Sequence, residues 1–220
     1  MTLEQVLERI PPLDAEAMAQ AKQHWDALAK PLHGLGDLED VLIRIAGICR
    51  TPHIDLRNKA VVVMCADNGV VAEGISQSGQ DVTQIITENL GKGTSTVCHM
   101  ARAAGADVIP VDIGVASDIH GSGVVPRKIA RGTHNFAKQP AMSRDQAVQA
   151  IGVGIETALL CKQHGYDVVA TGEMGIGNTT STAAVTAALL HAPVELVTGR
   201  GSGLTSEGLR RKIQVVTRAL

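Results

Sequence analysis

The stretch Asp167-Val168-Val169-Ala170-Thr171-Gly172-Glu173-Met174-Gly175-Ile176-Gly177-Asn178-Thr179-Thr180 decides how this chain reads. A short apolar run with strand character passes through three glycines into Thr179, Thr180, Ser181 and Thr182, and the Ala/Leu-rich run Ala183 to Leu190 follows. Strand, glycine turn and helix start is how a parallel α/β protein builds an anion site. The first N–H groups of a helix have no partner within it, and the helix dipole puts partial positive charge there. Glycines let backbone approach a phosphate, and the hydroxyls add donors. Glu173 is the odd member, because a carboxylate repels phosphate and suits a cationic or N–H-bearing part of a ligand. Taken alone, a glycine turn with a Ser/Thr cap would look the same.

The rest of the chain supports the α/β reading. Strand patterns at Lys59 to Cys65, Asp107 to Ile113, Val168 to Ala170 and Val194 to Thr198 alternate with helical patterns of ten or more residues, and Val124 to Ile129 reads as a further strand or edge. Asp81 to Ala104 is helical with a break at Gly91-Lys92-Gly93, Ser143 caps a helix reaching His164, and Ser206 starts another. This alternation predicts a parallel, Rossmann-like three-layer core with right-handed crossovers. In such sheets ligands sit outside the carboxyl ends of the strands. Ala66 to Gly69, Asp112 to Gly114, Gly172 to Thr180 and Gly199 to Gly203 all follow strands and converge on that edge. Thr2 to Ile48 reads as helices instead, with Asp14 capping the second and Asp37 opening the third. The division is residues 1–50 as a small helical segment and 51–220 as the nucleotide-binding core.

Composition narrows the classes. Only one Trp, one Tyr and one Phe occur among 220 residues that are 45% hydrophobic, so the core is aliphatic. A formal charge of −2 gives no field that would favour nucleic acid or anionic membrane. No apolar run is long enough to cross a bilayer and no secretory leader is present, so the reading is cytoplasmic. Four scattered cysteines and the spread histidines show no metal-ligand spacing. No metal and no redox cofactor are expected.

The glycine turn is not a Walker A loop, since no lysine follows its last glycine, and its Gly-x-x-Gly-x-Gly spacing is not the dinucleotide fingerprint. Five collinear stretches together resemble the nicotinate-nucleotide–dimethylbenzimidazole phosphoribosyltransferase family, which makes the lower-ligand nucleotide of cobalamin. Lys30 to Gly47 is similar to the family's Lys-Pro-Pro-Gly-Ser-Leu-Gly-Arg-Leu-Glu segment, although its Pro-Gly-Ser turn reads Leu32-His33-Gly34 here. Val62 to Gly74 resembles the strand ending in Ala-Asp-His/Asn-Gly-Val. Thr133 to Met142 is similar to the Asn-x-x-x-x-Pro-Ala-Met stretch. Gly172 to Thr180 resembles the Gly-Glu-Met/Leu-Gly-x-x-Asn-Thr-Thr turn, and Gly199 to Lys212 the Gly-x-Gly loop with its lysine.

The resemblance implies transfer of phosphoribose from nicotinate mononucleotide to 5,6-dimethylbenzimidazole, without a cofactor and by a homodimer. The C1′–N bond to a cationic pyridinium breaks with oxocarbenium character. The site must therefore hold phosphate, tolerate positive charge at the ribose and take a proton from the acceptor nitrogen. On this reading Gly175, Ile176, Gly177, Asn178, Thr179 and Thr180, the loop Gly201, Ser202 and Gly203, and Lys212 bind the phosphate side. Glu173 is the catalytic carboxylate, and Asp67, Asn68, Ser78 and Gln80 line the substrate site. A solvated helix lysine and ordinary Asn-Gly turn residues are the bland alternatives for Lys212 and for Asp67 and Asn68. The resemblance also implies a general-base glutamate in a Leu-Gly-Glu-Gly segment that nothing in these residues matches, and Leu220 falls within a helical pattern with no cap. The sequence is thus expected to continue in the family, and the alternative is an incomplete homologue that only binds nucleotide or benzimidazole. A kinase-like enzyme would need a phosphate lysine in the turn, which is lacking.

Overall fold

The structure is a computed structural model describing residues 3–220. The first helical pattern begins at Thr2, which lies outside the described residues. The chain divides into two compact units, one through Arg57 and one spanning Asn58–Leu220.

The first unit holds α1 (Leu3–Leu7), α2 (Ala15–Ala27) and α3 (Asp37–Cys49). Asp14 caps α2 by accepting from Ala17 N at 2.9 Å. Gly36, with φ of 55°, occupies the cap position of α3, so Asp37 is its first helical residue. Glu39 of α3 is buried, and Lys30 Nζ lies 2.8 Å from its carboxylate while Leu35 N donates to it at 2.9 Å. These bonds fold the Lys30 to Gly36 turn over the start of the helix. Ala46 and Gly47 of α3 are buried. A Cβ on Gly47 would sit 2.7 Å from Met18 Cγ, so the glycine lets α2 and α3 close together. The opposite stripe, Leu38, Val41 and Ile48, is exposed.

The second unit is built on four parallel strands in the order β3-β2-β1-β4. They are β1 (Lys59–Ala66), β2 (Ala106–Gly114), β3 (Val125–Pro126) and β4 (Val168–Met174). Alternation along β1 sends side chains to both faces. Val63 and Cys65 pack with Leu90 and Cys98, from α4 (Asp81–Gly91) and α5 (Thr96–Ala103). Val62 packs with Val111 and Cys161 on the other face, the latter from α6 (Arg144–Gln163). Each such side chain contributes about 1.5–3 kcal/mol by leaving water. Helices therefore cover both faces, as the alternating pattern requires. α6 opens with a capping box in which Ser143 Oγ accepts from Gln146 N and Gln146 Oε1 accepts from Ser143 N. The break between α4 and α5 is also where expected, with Gly93 at φ of 73°.

Three elements differ from the sequence reading. β4 continues through Gly172 and Glu173 to Met174, because each of these residues pairs in register with β1. Val194–Val197 is not a strand but the four-residue helix α8, started by Pro193 at φ of −55° with Leu196 N bonding back to Pro193 O. Four aliphatic residues carry no period that separates strand from helix, and the proline decides. The last helix, α9 (Ser206–Ala219), is capped one residue earlier than expected, by Thr205. Between β4 and α8 runs α7 (Asn178–Leu190).

Candidate active site

The carboxyl ends of β1 and β4 meet at the glycine turn, where Cys65 pairs with Met174. A Cβ on Gly175 would collide with Ala66 O, and one on Gly177, at φ of 89°, would come within 2.7 Å of Val71 Cγ2. No larger residue fits either position. Ile176 N donates to Thr83 Oγ1 at 3.1 Å, and Thr83 is fully buried. Asn68 spans the turn and the helix behind it. Its Nδ2 donates to Ile176 O at 3.3 Å, and its Oδ1 accepts from Ser181 Oγ at 2.7 Å. The turn is held from behind and leaves its outer surface facing a cavity of about 330 Å³.

Lys212 of α9 enters that cavity wall with its residue 1% exposed. Its Nζ donates to Thr179 Oγ1 at 2.7 Å and to Gly199 O at 3.1 Å, and no carboxylate pairs with it among the described residues. Burial pushes its pKa below the ordinary lysine value. An ammonium withdrawn from water without a counter-charge is costly, and an anion in the cavity is what offsets that cost. Thr180 also lines the cavity, and its buried Oγ1 has no partner among the described residues. The first-turn amides of α7 are partly engaged, since Thr179 N bonds to Asn178 Oδ1 and Thr180 N to Gly177 O. The helix therefore offers chiefly its dipole, while Lys212 supplies the charge.

Glu173 occupies a different place from the one its sequence position suggested. As part of β4 it faces a neighbouring groove of about 400 Å³ with Ile86, Asn89 and Leu90 of α4 and Ser95 and Val97 at the start of α5. Met174 borders both spaces, so the carboxylate groove and the Lys212 cavity adjoin. The groove is mainly apolar with a carboxylate on its wall, and the cavity carries an ammonium. Together they can hold a ligand that carries an anion at one end and a flat N–H-bearing ring at the other.

The structure brings Gly175, Ile176, Gly177, Asn178, Thr179, Thr180, Gly201, Ser202 and Lys212 to one cavity. Gly203 lies just outside, its carbonyl accepting from Gln77 Nε2 at 2.8 Å. Ser76 joins Ser202 in the wall while Ser78 does not line it, and Gln80 donates to Asn68 O at 3.3 Å. Asp67 is buried outside this lining, its Oδ1 without a partner among the described residues, while its Oδ2 accepts from Ala116 N at 2.8 Å. Asp112 does the same for Val115 N at 2.9 Å, while Lys128 and Arg131 donate to the carbonyls of Val115, Ser117 and Ala116. Two carboxylates and two cations thus fix the loop after β2. The sequence reading missed Ser76, Asn89, Ser95 and Arg200. Arg200 carried a usable signal, lying between Gly199 and Gly201 of the quoted loop, whereas Asn89 and Ser95 reach the groove only through the packing of α4 and α5.

Residues 10–220 match a family model described as phosphoribosyltransferase. The chain belongs to that family. It is 45% identical over 219 residues to the nicotinate-nucleotide–dimethylbenzimidazole phosphoribosyltransferase of Alkaliphilus metalliredigens, covering 99% of this chain and 63% of that protein. It is 47% identical to the enzyme of the same name from Chloroflexus aggregans, covering 99% and 62%. The crystal structure of CobT from Thermus thermophilus superposes with a TM-score of 0.88 at 44% identity, over 92% of this chain and 61% of that one. This member of the phosphoribosyltransferase family therefore spans about three fifths of the length of the relatives it matches. No helix among its described residues is long and apolar enough to cross a membrane.

Proposed function

We propose that this chain carries the phosphoribosyl-binding machinery for transfer of phosphoribose from nicotinate mononucleotide to 5,6-dimethylbenzimidazole, giving α-ribazole 5′-phosphate and nicotinate. The observation that supports it best is the buried, carboxylate-free ammonium of Lys212 beside a glycine turn, with an apolar groove holding Glu173 next door. The phosphate sits against Lys212, Thr179 and the α7 dipole. The ribose spans Met174, and the ring occupies the Glu173 groove. There the carboxylate stabilises positive charge as the C1′–N bond lengthens, or accepts the acceptor's N–H. Both are stronger in the transition state than in the ground state. The relatives' names and their match along the whole of this chain support the same substrates.

The enzyme works as a homodimer in the cytoplasm. The exposed Leu38, Val41 and Ile48 stripe of α3 offers an apolar surface, and two-fold dimers are the commonest oligomers.

The decisive experiment follows nicotinate release and ribazole phosphate formation from the two substrates, beside calorimetric binding of nicotinate mononucleotide. Binding of the nucleotide but not of nicotinate riboside supports the phosphate site, and Glu173→Gln should slow turnover more than it weakens binding. Equal binding of nucleotide and riboside would overturn the reading.

A further inference from the structure

The loop after α8 places a second cation at the Lys212 cavity. Arg200 lines it, and its neighbours in sequence both meet the ammonium: Gly199 O accepts from Lys212 Nζ at 3.1 Å, and a Cβ on Gly201 would lie 3.7 Å from that nitrogen. Gly201, at φ of 60°, also brings the backbone close to Thr179, where the same Cβ would stand 3.0 Å from Oγ1. The segment on both sides of Arg200 is thereby held at the ammonium. The guanidinium itself has neutral partners, Leu204 O at 2.7 Å and Ser206 Oγ at 3.1 Å. No carboxylate pairs with it among the described residues, unlike Arg57, Arg131 and Arg218. A guanidinium has five N–H donors in a fixed fork suited to phosphate oxygens, so two neutral bonds leave capacity unused.

We propose that Arg200 is the second cation of this site, so that a phosphomonoester dianion is held between Lys212 and Arg200. The assignment rests on reading the cavity as the phosphate site. It adds that charge is matched: two positive groups without carboxylates face two negative charges. It also assigns selectivity, since a dianion gains from both cations and a monoanionic diester or carboxylate from one. The bonds to Leu204 and Ser206 orient the fork and do not neutralise it.

Inorganic phosphate is the probe, titrated into the chain by calorimetry with the variants Arg200→Met, Arg200→Lys, Ser206→Ala and Lys212→Met. Arg200→Met should weaken phosphate by about tenfold or more, the loss of a charge-assisted contact. Arg200→Lys should recover most of it, and Ser206→Ala should change it by less than about threefold. If Arg200→Met binds phosphate as the unchanged chain does, or if Ser206→Ala loses as much, Arg200 only supports the loop and the proposal falls. Loss with Lys212→Met but not with Arg200→Met refutes this inference alone, whereas phosphate binding that neither substitution affects refutes the phosphate-site reading beneath it. Circular dichroism of each variant separates misfolding from lost binding, and Arg200→Gln, with the same expected loss, takes the place of Arg200→Met where that variant does not fold.

Discussion

Lys212 Nζ lies 2.7 Å from Thr179 Oγ1, joining the last helix to the first turn of α7 across the cavity, in a residue 1% exposed. Removing the ammonium should therefore affect the phosphate and little else of the ligand. Lys212→Ala is expected to weaken nicotinate mononucleotide binding by ~1.5–3 kcal/mol, with nicotinate itself almost unchanged. Calorimetry with both ligands checks this, and equal losses would place the lysine elsewhere in the mechanism.

The same burial has a consequence for stability. Because folding lowers the pKa of Lys212, the unfolded chain binds more protons in the window between the folded value and the ordinary value of 10.5. Stability from this group therefore rises with pH through that window. Lys212→Met should stabilise the folded chain by on the order of 1 kcal/mol at neutral pH while weakening anion binding. Nucleotide affinity should fall as pH rises through the folded value, since the anion needs the protonated form. Thermal melts and binding titrations across the alkaline range test both signs.

Asn68 fixes the glycine turn to α7 through Ile176 O and Ser181 Oγ. Asn68→Ala leaves both groups without that partner and should cost about 1–3 kcal/mol. Nucleotide binding should fall with it, because the turn loses its brace. A variant that keeps full affinity despite a lower melting temperature would show that the turn holds its shape unaided.

The 3₁₀ turn Gly69–Glu73 is tied to α9 by Glu73 and Arg218, 2.7 Å apart, and to the Asn135 amide at 2.6 Å. The Asn135 hydrogen bond, then Arg218, holds the Glu73 carboxyl below its ordinary value. A lowered carboxyl contributes stability above the unfolded value that is lost as pH falls through the folded one. The melting difference between the unchanged chain and Arg218→Ala should be present at neutral pH and vanish in acid. A difference independent of pH would mean that Arg218 acts by packing.

Self-association is tested at α3. Leu38→Asp with Val41→Asp puts charge on the exposed stripe and should give a monomer mass by light scattering, where a dimer mass is expected for the unchanged chain. A dimer mass for the double variant would move the interface elsewhere.

Much of this architecture could be read from residue order. Strand-to-helix alternation gave the parallel sheet, and the glycines of the turn marked the site because their neighbours leave no room for a Cβ. Asp14, Ser143 and the Gly91 to Gly93 break placed helix ends by local chemistry alone. Glu173 was misplaced because a strand's end is set by its partner, and pairing with Met64 is not a local property. The tie of Asp67 to Ala116 was not legible for a similar reason, since it spans 49 positions. Arg200 was passed over because the binding loop was read as Gly201, Ser202 and Gly203, which begins one residue after it.

Among the described residues β4 has a neighbour on one side only, and its middle residues Val169, Ala170 and Thr171 are exposed. Soluble sheets usually guard such a border with lysine, proline or a bulge, and Val168–Met174 contains no lysine or proline. A chain of these 220 residues therefore presents a template on which another extended segment can add.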